Sequence, residues 1–492
     1  MEDDLELQRF LKAEGLTVSS VLPKFDYNGE CMRCLFATRD FITGEVIMRE
    51  EPYVCIPTSS DPVCQRCFKS DGTLLRCASC NIVWYCGAEC QRLDWKLHKL
   101  ECRAISRLEK KWQELVTPEI RLLVKLFIRR KLQRDKWTEL EVIPTTPIDN
   151  FNSVEAMISH QSDMETEKLV EYMTKAEIVK QMLQQPELDQ DEAVNNFCKL
   201  SCNAHAIVDI EMEQLGIGLY PVMSIINHSC LPNAVLVFEG KLAVLRAIAP
   251  VDEGDEVLIS YIDLGRTTRF RQDDLNGKYH FTCSCPRCCK FAKIDDQILD
   301  ALGCKNGKCD GFLVDKYGFY SSDQKLECNK CGLVRTLEAE KRAKGKIDPL
   351  LAKGRSDFSS GVVDFREALS TYKRVEEATL DLFHPSSFSV MIVRNLLTKL
   401  YMKTGDIQAA LECCRLTTPV HQRLLQGHDP VLGRHYYTRG MLEWVKGNKE
   451  DALNYLIRAG DILEITHGTN FPLVKELLIN LAKEQEGHTS GF

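Results

Sequence analysis

Between residues 64 and 102 the chain reads Cys64-x2-Cys67-x9-Cys77-x2-Cys80-x5-Cys86-x3-Cys90-x7-His98-x3-Cys102. A segment this short cannot bury enough apolar surface to order itself. Eight soft or borderline ligands in close pairs do the work instead, because two ligands from one turn hold a metal at small entropic cost. They suffice for two tetrahedral zinc ions with no open position, which marks structural rather than catalytic sites. An interleaved arrangement puts Cys64, Cys67, Cys86 and Cys90 on one ion, and Cys77, Cys80, His98 and Cys102 on the other.

The remaining cysteines, of 23 in 492 residues, extend the pattern. Cys283-Ser284-Cys285-Pro286-Arg287-Cys288 offers three thiolates, one short of a tetrahedron, and Cys230 in Ile226-Asn227-His228-Ser229-Cys230 is the expected fourth donor. Cys304-x4-Cys309-Asp310-Gly311 and Cys328-x2-Cys331-Gly332 give four more in a ribbon-like spacing, for a fourth zinc. The glycine after each second cysteine lets the knuckle turn its backbone N–H groups toward sulfur. Clusters of this kind read as metal ligands in a reducing compartment rather than as disulfides. The acidic N-terminus, Met1-Glu2-Asp3-Asp4, carries no secretory pattern, and no apolar run reaches the length of a membrane helix. Nucleus and cytoplasm are the expected locations.

Net charge is −8, which argues against bulk coating of nucleic acid. A local exception runs from Arg103 to Lys136, with eleven Lys or Arg against four Asp or Glu. A solvated helix face is the plain reading of that stretch and a docking surface the sharper one; DNA is a third reading, with no recognition element beside it. Short strands are expected over 20–56, helices from 103 to about 185 with a break near Pro144 and Pro147, and strands again at 235–238, 242–248 and 257–261. From about 345 the spacing is helical. There Leu400–Leu411 aligns without gaps on Leu442–Leu453, an offset of 42, each copy a helix, a glycine turn and a second helix. Helical hairpins of the tetratricopeptide kind look like this, although their usual period is about 34.

Residues 64–102, with Trp84-Tyr85-Cys86 and Asp94-Trp95-Lys96-x-His98 inside them, resemble the MYND zinc finger. Asn227-His228-Ser229-Cys230-x-Pro232-Asn233, Gly254-Asp255-Glu256-Val257-Leu258-Ile259-Ser260-Tyr261 and Phe281-x-Cys283-x-Cys285-x2-Cys288 look like a SET domain with its post-SET zinc site. Together they resemble the SET-and-MYND (SMYD) lysine methyltransferases over nearly the whole chain. The resemblance implies an α+β multidomain protein: a β-rich SET core with an inserted MYND finger, a post-SET zinc site and an all-α C-terminal helical-repeat (TPR-like) domain. The boundaries expected are 1–63 for the first part of the SET domain, 64–102 for the finger, 103–195 for a helical insertion and 196–264 for the core. The post-SET site follows at 265–292, a ribbon-like insertion at 293–340 and the helical repeats at 341–492. It further implies S-adenosylmethionine as cofactor, histone tails or other lysine-bearing proteins as substrates, proline-rich peptides as partners of the finger, and a monomer.

Lysine methylation is an in-line displacement that needs a neutral amine, although the reference pKa of lysine is about 10.4. Desolvation and alignment must supply the rest. The resemblance puts Tyr261 at the catalytic tyrosine and Tyr279 at a second channel tyrosine. It assigns Asn203, Asn227, His228 and Phe281 to the cofactor, with His160 on the helical insertion. Cys31, Met32 and Arg33 fall on the turn that meets the methionine moiety. There the chain departs from the family, whose Gly-x-Gly is replaced by Met32 and Cys34. Side chains at those positions would crowd the cofactor or forbid a positive φ. They support an alternative reading, a zinc-stabilised interaction scaffold that no longer turns over.

Overall fold

The computed structural model describes residues 2–21, 32–59, 61–134, 151–289, 296, 299, 301–314, 325–336, 365–425 and 427–485. The chain divides into two compact units, one of residues 1–259 with 274–282 and one of 260–273 with 283–492. Cys31, the Pro144/Pro147 break, Lys136 and residues 341–364 lie outside the described residues.

The first unit combines short β-sheets with a layer of helices. Leu16–Val21 pairs antiparallel with Met32–Ala37. Ala234–Glu239, Leu242–Ala247 and Val46–Glu50 form one three-stranded antiparallel sheet, and Val54–Pro57, Gln214–Leu219 and Ala204–Val208 form another. The alternation of apolar residues that marked 235–238 and 242–248 is thus one hairpin turned at Gly240. A two-residue parallel pair, Asn227–His228 beside Leu258–Ile259, brings distant motifs together.

The helix Pro118–Arg134 is the centre of the helical layer. Thr117 accepts the Ile120 N–H at 3.4 Å and Pro118 occupies the first turn, two local signals that start a helix. Ile120, Leu123, Val124 and Leu126 are fully buried. Three of its cations are buried as well, which corrects the expectation of a basic solvated or docking face over 103–136. Arg121 donates to Glu101 and Gln65, both at 2.9 Å; Lys125 lies 3.7 Å from Glu101; Arg129 donates to the Tyr53 carbonyl and stacks on the Tyr53 ring. An apolar face all round the helix drew these side chains inward, where each found an acceptor. Arg103, Arg107, Lys110 and Lys111 do remain exposed.

The second unit contains a four-stranded antiparallel sheet, Leu302–Gly303, Phe312–Val314, Lys325–Cys328 and Val334–Thr336. Leu302, Leu313 and Leu326 pack with Leu382, Phe383 and Val390 of the helical region that follows. That region runs through six helices, Phe365–Leu380, Phe388–Thr404, Ile407–Leu424, Pro430–Val445, Lys449–His467 and Pro472–Gln485. The sequence repeat at offset 42 is a repeat of turn geometry. Gly405 (φ 82) and Gly447 (φ 81) each end a helix in the left-handed region. The Asp406 N–H returns to the Tyr401 carbonyl and the Gly405 N–H to Met402; Asn448 and Gly447 do the same to Glu443 and Trp444. Both are Schellman closures, which favour glycine because it has no Cβ to strain. Asp406 then caps the next helix, its carboxylate accepting the Ala409 N–H at 3.1 Å.

Candidate functional site

The finger folds around its ligands. Leu75–Arg76 pairs with Trp84–Tyr85, and Ala88–Arg107 forms the helix that carries Cys90, His98 and Cys102. The eight ligands gather in the interleaved sets expected from their spacing, with the ligand atoms of each set within 4.8 Å of one another. In the first, Cys86 Sγ lies 3.6 Å from Cys67 and 3.5 Å from Cys90. In the second, His98 Nε2 stands 3.5 Å from Cys77 and 3.7 Å from Cys80, and Cys77 is 3.9 Å from Cys102. A tetrahedron of ~2.3 Å zinc–sulfur bonds has edges of about 3.8 Å, so both sets fit zinc.

Glu101, one turn after His98 on the same helix, was not singled out in the sequence. It accepts from His98 Nδ1 at 3.1 Å and from Arg121 at 2.9 Å, with its side chain fully buried. Burial alone would raise its pKa, but Arg121, Lys125 and His98 hold it well below the usual carboxylate range. A carboxylate on the far nitrogen of a ligating histidine fixes its tautomer and ring orientation. The His-x-x-Glu spacing was the available signal.

Cys304, Cys309, Cys328 and Cys331 also converge, with Cys304–Cys331 at 3.5 Å and Cys309–Cys328 at 3.7 Å. The Gly311 N–H points at Cys309 Sγ (3.4 Å) and the Lys330 N–H at Cys328 Sγ (3.5 Å). A Cβ at Gly311 would come within 2.6 Å of Cys328 Sγ, so the knuckle closes only on glycine. In the same unit Cys283, Cys285 and Cys288 form a three-thiol set. Gln272 brackets Cys283, donating to its carbonyl at 2.7 Å and accepting its N–H at 2.8 Å, while Arg271 donates to Cys288 Sγ. Cys230, the expected fourth donor, is buried in the first unit.

Of the residues assigned to the cofactor, Asn227 lies beside the strand Met32–Ala37 in the first unit. Asn227 Nδ2 donates to Glu256 at 2.8 Å and lies 3.3 Å from the Arg33 carbonyl and 3.2 Å from Cys34 Sγ. The stretch 254–259 runs beside both partners. Its Val257 N–H reaches the Leu35 carbonyl at 2.8 Å, and Asn233 spans its Glu256 carbonyl and Leu258 N–H. The His228 ring lies 6.1 Å from that of Phe281 and its Nε2 is 3.3 Å from Cys230 Sγ. Asn203, at the end of the helix Gln190–Asn203, donates to the Ile158 and Lys199 carbonyls. Arg33 reaches the Ala156 carbonyl at 3.2 Å. His160 pairs with Asp163 at 3.2 Å and faces the His280 ring. Tyr279 lies one residue before His280, under the Lys278 ammonium. Tyr261 lies two residues beyond Ile259, in the second unit.

The missing glycines have a local answer at one position. Cys34 lies in a regular antiparallel strand opposite Ser19, and it is not among the described residues with positive φ. Its side chain is buried against Asn227, so it needs neither a left-handed backbone nor solvent. Met32 forms the first residue of the same strand.

Comparison with known proteins adds three relatives and one family. Residues 64–102 match the MYND finger family. The chain is 42% identical to the histone-lysine N-methyltransferase ASHR1 of Arabidopsis thaliana, over 97% of this chain and 96% of that protein. It is 27% identical to the Mus musculus histone-lysine N-methyltransferase SMYD3, over 89% and 92% of the two chains. It is 34% identical to the Xenopus laevis N-lysine methyltransferase SMYD2-A, over 54% and 60%.

Proposed function

Because the chain belongs to the SET-and-MYND (SMYD) family of lysine methyltransferases, we propose that it is an S-adenosylmethionine-dependent protein-lysine N-methyltransferase acting on histone tails or other lysine-bearing proteins. The observation that carries this reading is end-to-end similarity to a protein named for that activity. The contacts of Asn227 with Cys34 and Glu256, and of the His228 ring with Phe281, support it.

S-adenosylmethionine, when bound, supplies a methyl group on a sulfonium. Asn227 and the Arg33 backbone would hold its amino-acid end, and Phe281 with His228 would flank its base. Glu256 already takes one Asn227 N–H, which fixes the amide's orientation before ligand arrives. The Tyr261 hydroxyl would orient the neutral amine. An apolar channel favours that neutral form by desolvating the ammonium. The SET core is taken as 1–63 and 196–264. The helical hairpins from 365 onward, TPR-like in this reading, and the finger would recruit protein partners.

Labelled methyl transfer from S-adenosylmethionine onto histones and cell extract tests the activity. Replacing Tyr261 with Phe keeps the ring and deletes the hydroxyl, so turnover should fall by ~10²-fold, about 2.7 kcal/mol of transition-state stabilisation, with thermal stability nearly unchanged. Full activity in Tyr261→Phe would remove its assigned role. Absence of both transfer and cofactor binding in the natural protein would leave the scaffold reading in its place.

A further inference from the structure

Six described residues other than glycine have positive φ, and two of them touch. His160 (φ 50) and His280 (φ 58) set their rings 5.3 Å apart at 35°. Residues with a Cβ adopt the left-handed region uncommonly, and such residues persist where the surroundings hold them.

What they connect supplies the reason. The loop bearing His160 is tied to the cofactor residues: the Ile158 carbonyl accepts from Asn203 at 2.9 Å, and the Ser159 carbonyl from the Cys202 thiol. Asn195 grips the same loop through Ser159 Oγ and Gln161 Oε1. On the other side His280 sits between Tyr279 and Phe281, and the Cys202 thiol also reaches the Lys278 carbonyl at 3.6 Å. The ring pair therefore closes the 157–163 loop against the segment that carries Phe281.

We propose that His160 and His280 are positioning residues of the cofactor site, an imidazole clasp that fixes Asn203 and Phe281 and opens when His280 is protonated. This rests on the methyltransferase reading. The charged and titratable groups around the pair are Asp163 on His160, Lys278 on the segment of His280, and the Cys202 thiol, which burial raises to about 11. Burial, and then the neighbouring His160, depress the pKa of His280, while Asp163 opposes them. A depressed histidine binds its proton less readily in the closed state than in the open one. The clasp is therefore complete above the ordinary histidine pKa of about 6.5, and acid below that value drives it open.

Calorimetric titration of the full chain with S-adenosylhomocysteine between pH 5.5 and 8 tests this. The dissociation constant should rise about tenfold from pH 7.5 to 5.5. Asparagine tolerates the left-handed backbone but does not titrate, so His280→Asn and His160→Asn should each flatten that rise to less than about twofold. A flat wild-type profile, or an unchanged slope in both variants, overturns the clasp. Histidine C2–H resonances give a readout that needs no ligand: the His280 midpoint should lie below 6.5 and move up in His160→Asn. An unmoved midpoint also overturns the proposal. If the natural protein binds no S-adenosylhomocysteine at any pH, the methyltransferase reading falls, and the resonance titration alone decides whether the clasp exists.

Discussion

The finger and the 304–331 ribbon each assemble four-ligand sites, yet they are embedded in opposite ways. The Cys77/Cys80/His98/Cys102 set is buried throughout, and His98 passes its hydrogen bond to Glu101 and so to Arg121 and Lys125. Cys331 of the ribbon is exposed, and the nearest ion pair is the surface bridge Lys330–Asp310. Three thiolates, a histidine and zinc carry a net negative charge, and Glu101 adds another. Two buried cations on a neighbouring helix balance them. Metal sites alike in ligand count thus differ in how much of the fold they hold up.

The largest effect that would break this comparison comes from the finger. Cys77→Ser/Cys80→Ser removes a zinc whose binding in comparable sites is worth roughly 10–16 kcal/mol. It should abolish the cooperative thermal transition of the first unit and lower zinc content by at least one ion per chain. A wild-type melting profile would show that the finger is an independent appendage.

Next in size is the carboxylate. Glu101→Gln keeps the shape and removes the charge, leaving Arg121 and Lys125 buried without their anion, at a cost of about 3–5 kcal/mol in chemical denaturation. Adding Lys125→Met to that variant should restore part of the loss, because one uncompensated cation goes with it. A Glu101→Gln loss below about 1 kcal/mol would mean that the network contributes little.

The smallest effect belongs to the ribbon. Elemental analysis should give four zinc per chain, falling to three in Cys328→Ser/Cys331→Ser. The first-unit transition should move by no more than about 0.5 kcal/mol, as for independently folding units. A chelator should take the ribbon zinc before either finger zinc. A ratio near three in both proteins would remove the ribbon site, and release of finger zinc first would reverse the comparison.

Glu101 and the basic stretch show where reading along the chain reaches its limit. The cysteine spacings announced every ligand set described in the finger and ribbon, because a tetrahedral ion needs close pairs and the pairs are local. The hairpin 234–247 and the turns at Gly405 and Gly447 were legible for the same reason. Arg121, Lys125 and Arg129 looked like a solvated face because charge density is visible in sequence and its neutralising partners are not. Arg121 finds its acceptors 20 and 56 residues away on Glu101 and Gln65, and Arg129 finds its own 76 residues away on Tyr53.

Sequence by itself determined the metal scaffolding, the helical region and, through its motifs, the family. These rest on ligands, caps and periodicities whose partners lie within a few residues. Tertiary structure alone decided that Cys34 turns inward to Asn227 across 193 positions, that three cations lie inside the protein, and that His160 and His280 meet. Each depends on the desolvation and packing of groups far apart in the chain. A single charge or glycine gap carries no record of which distant atom will satisfy it.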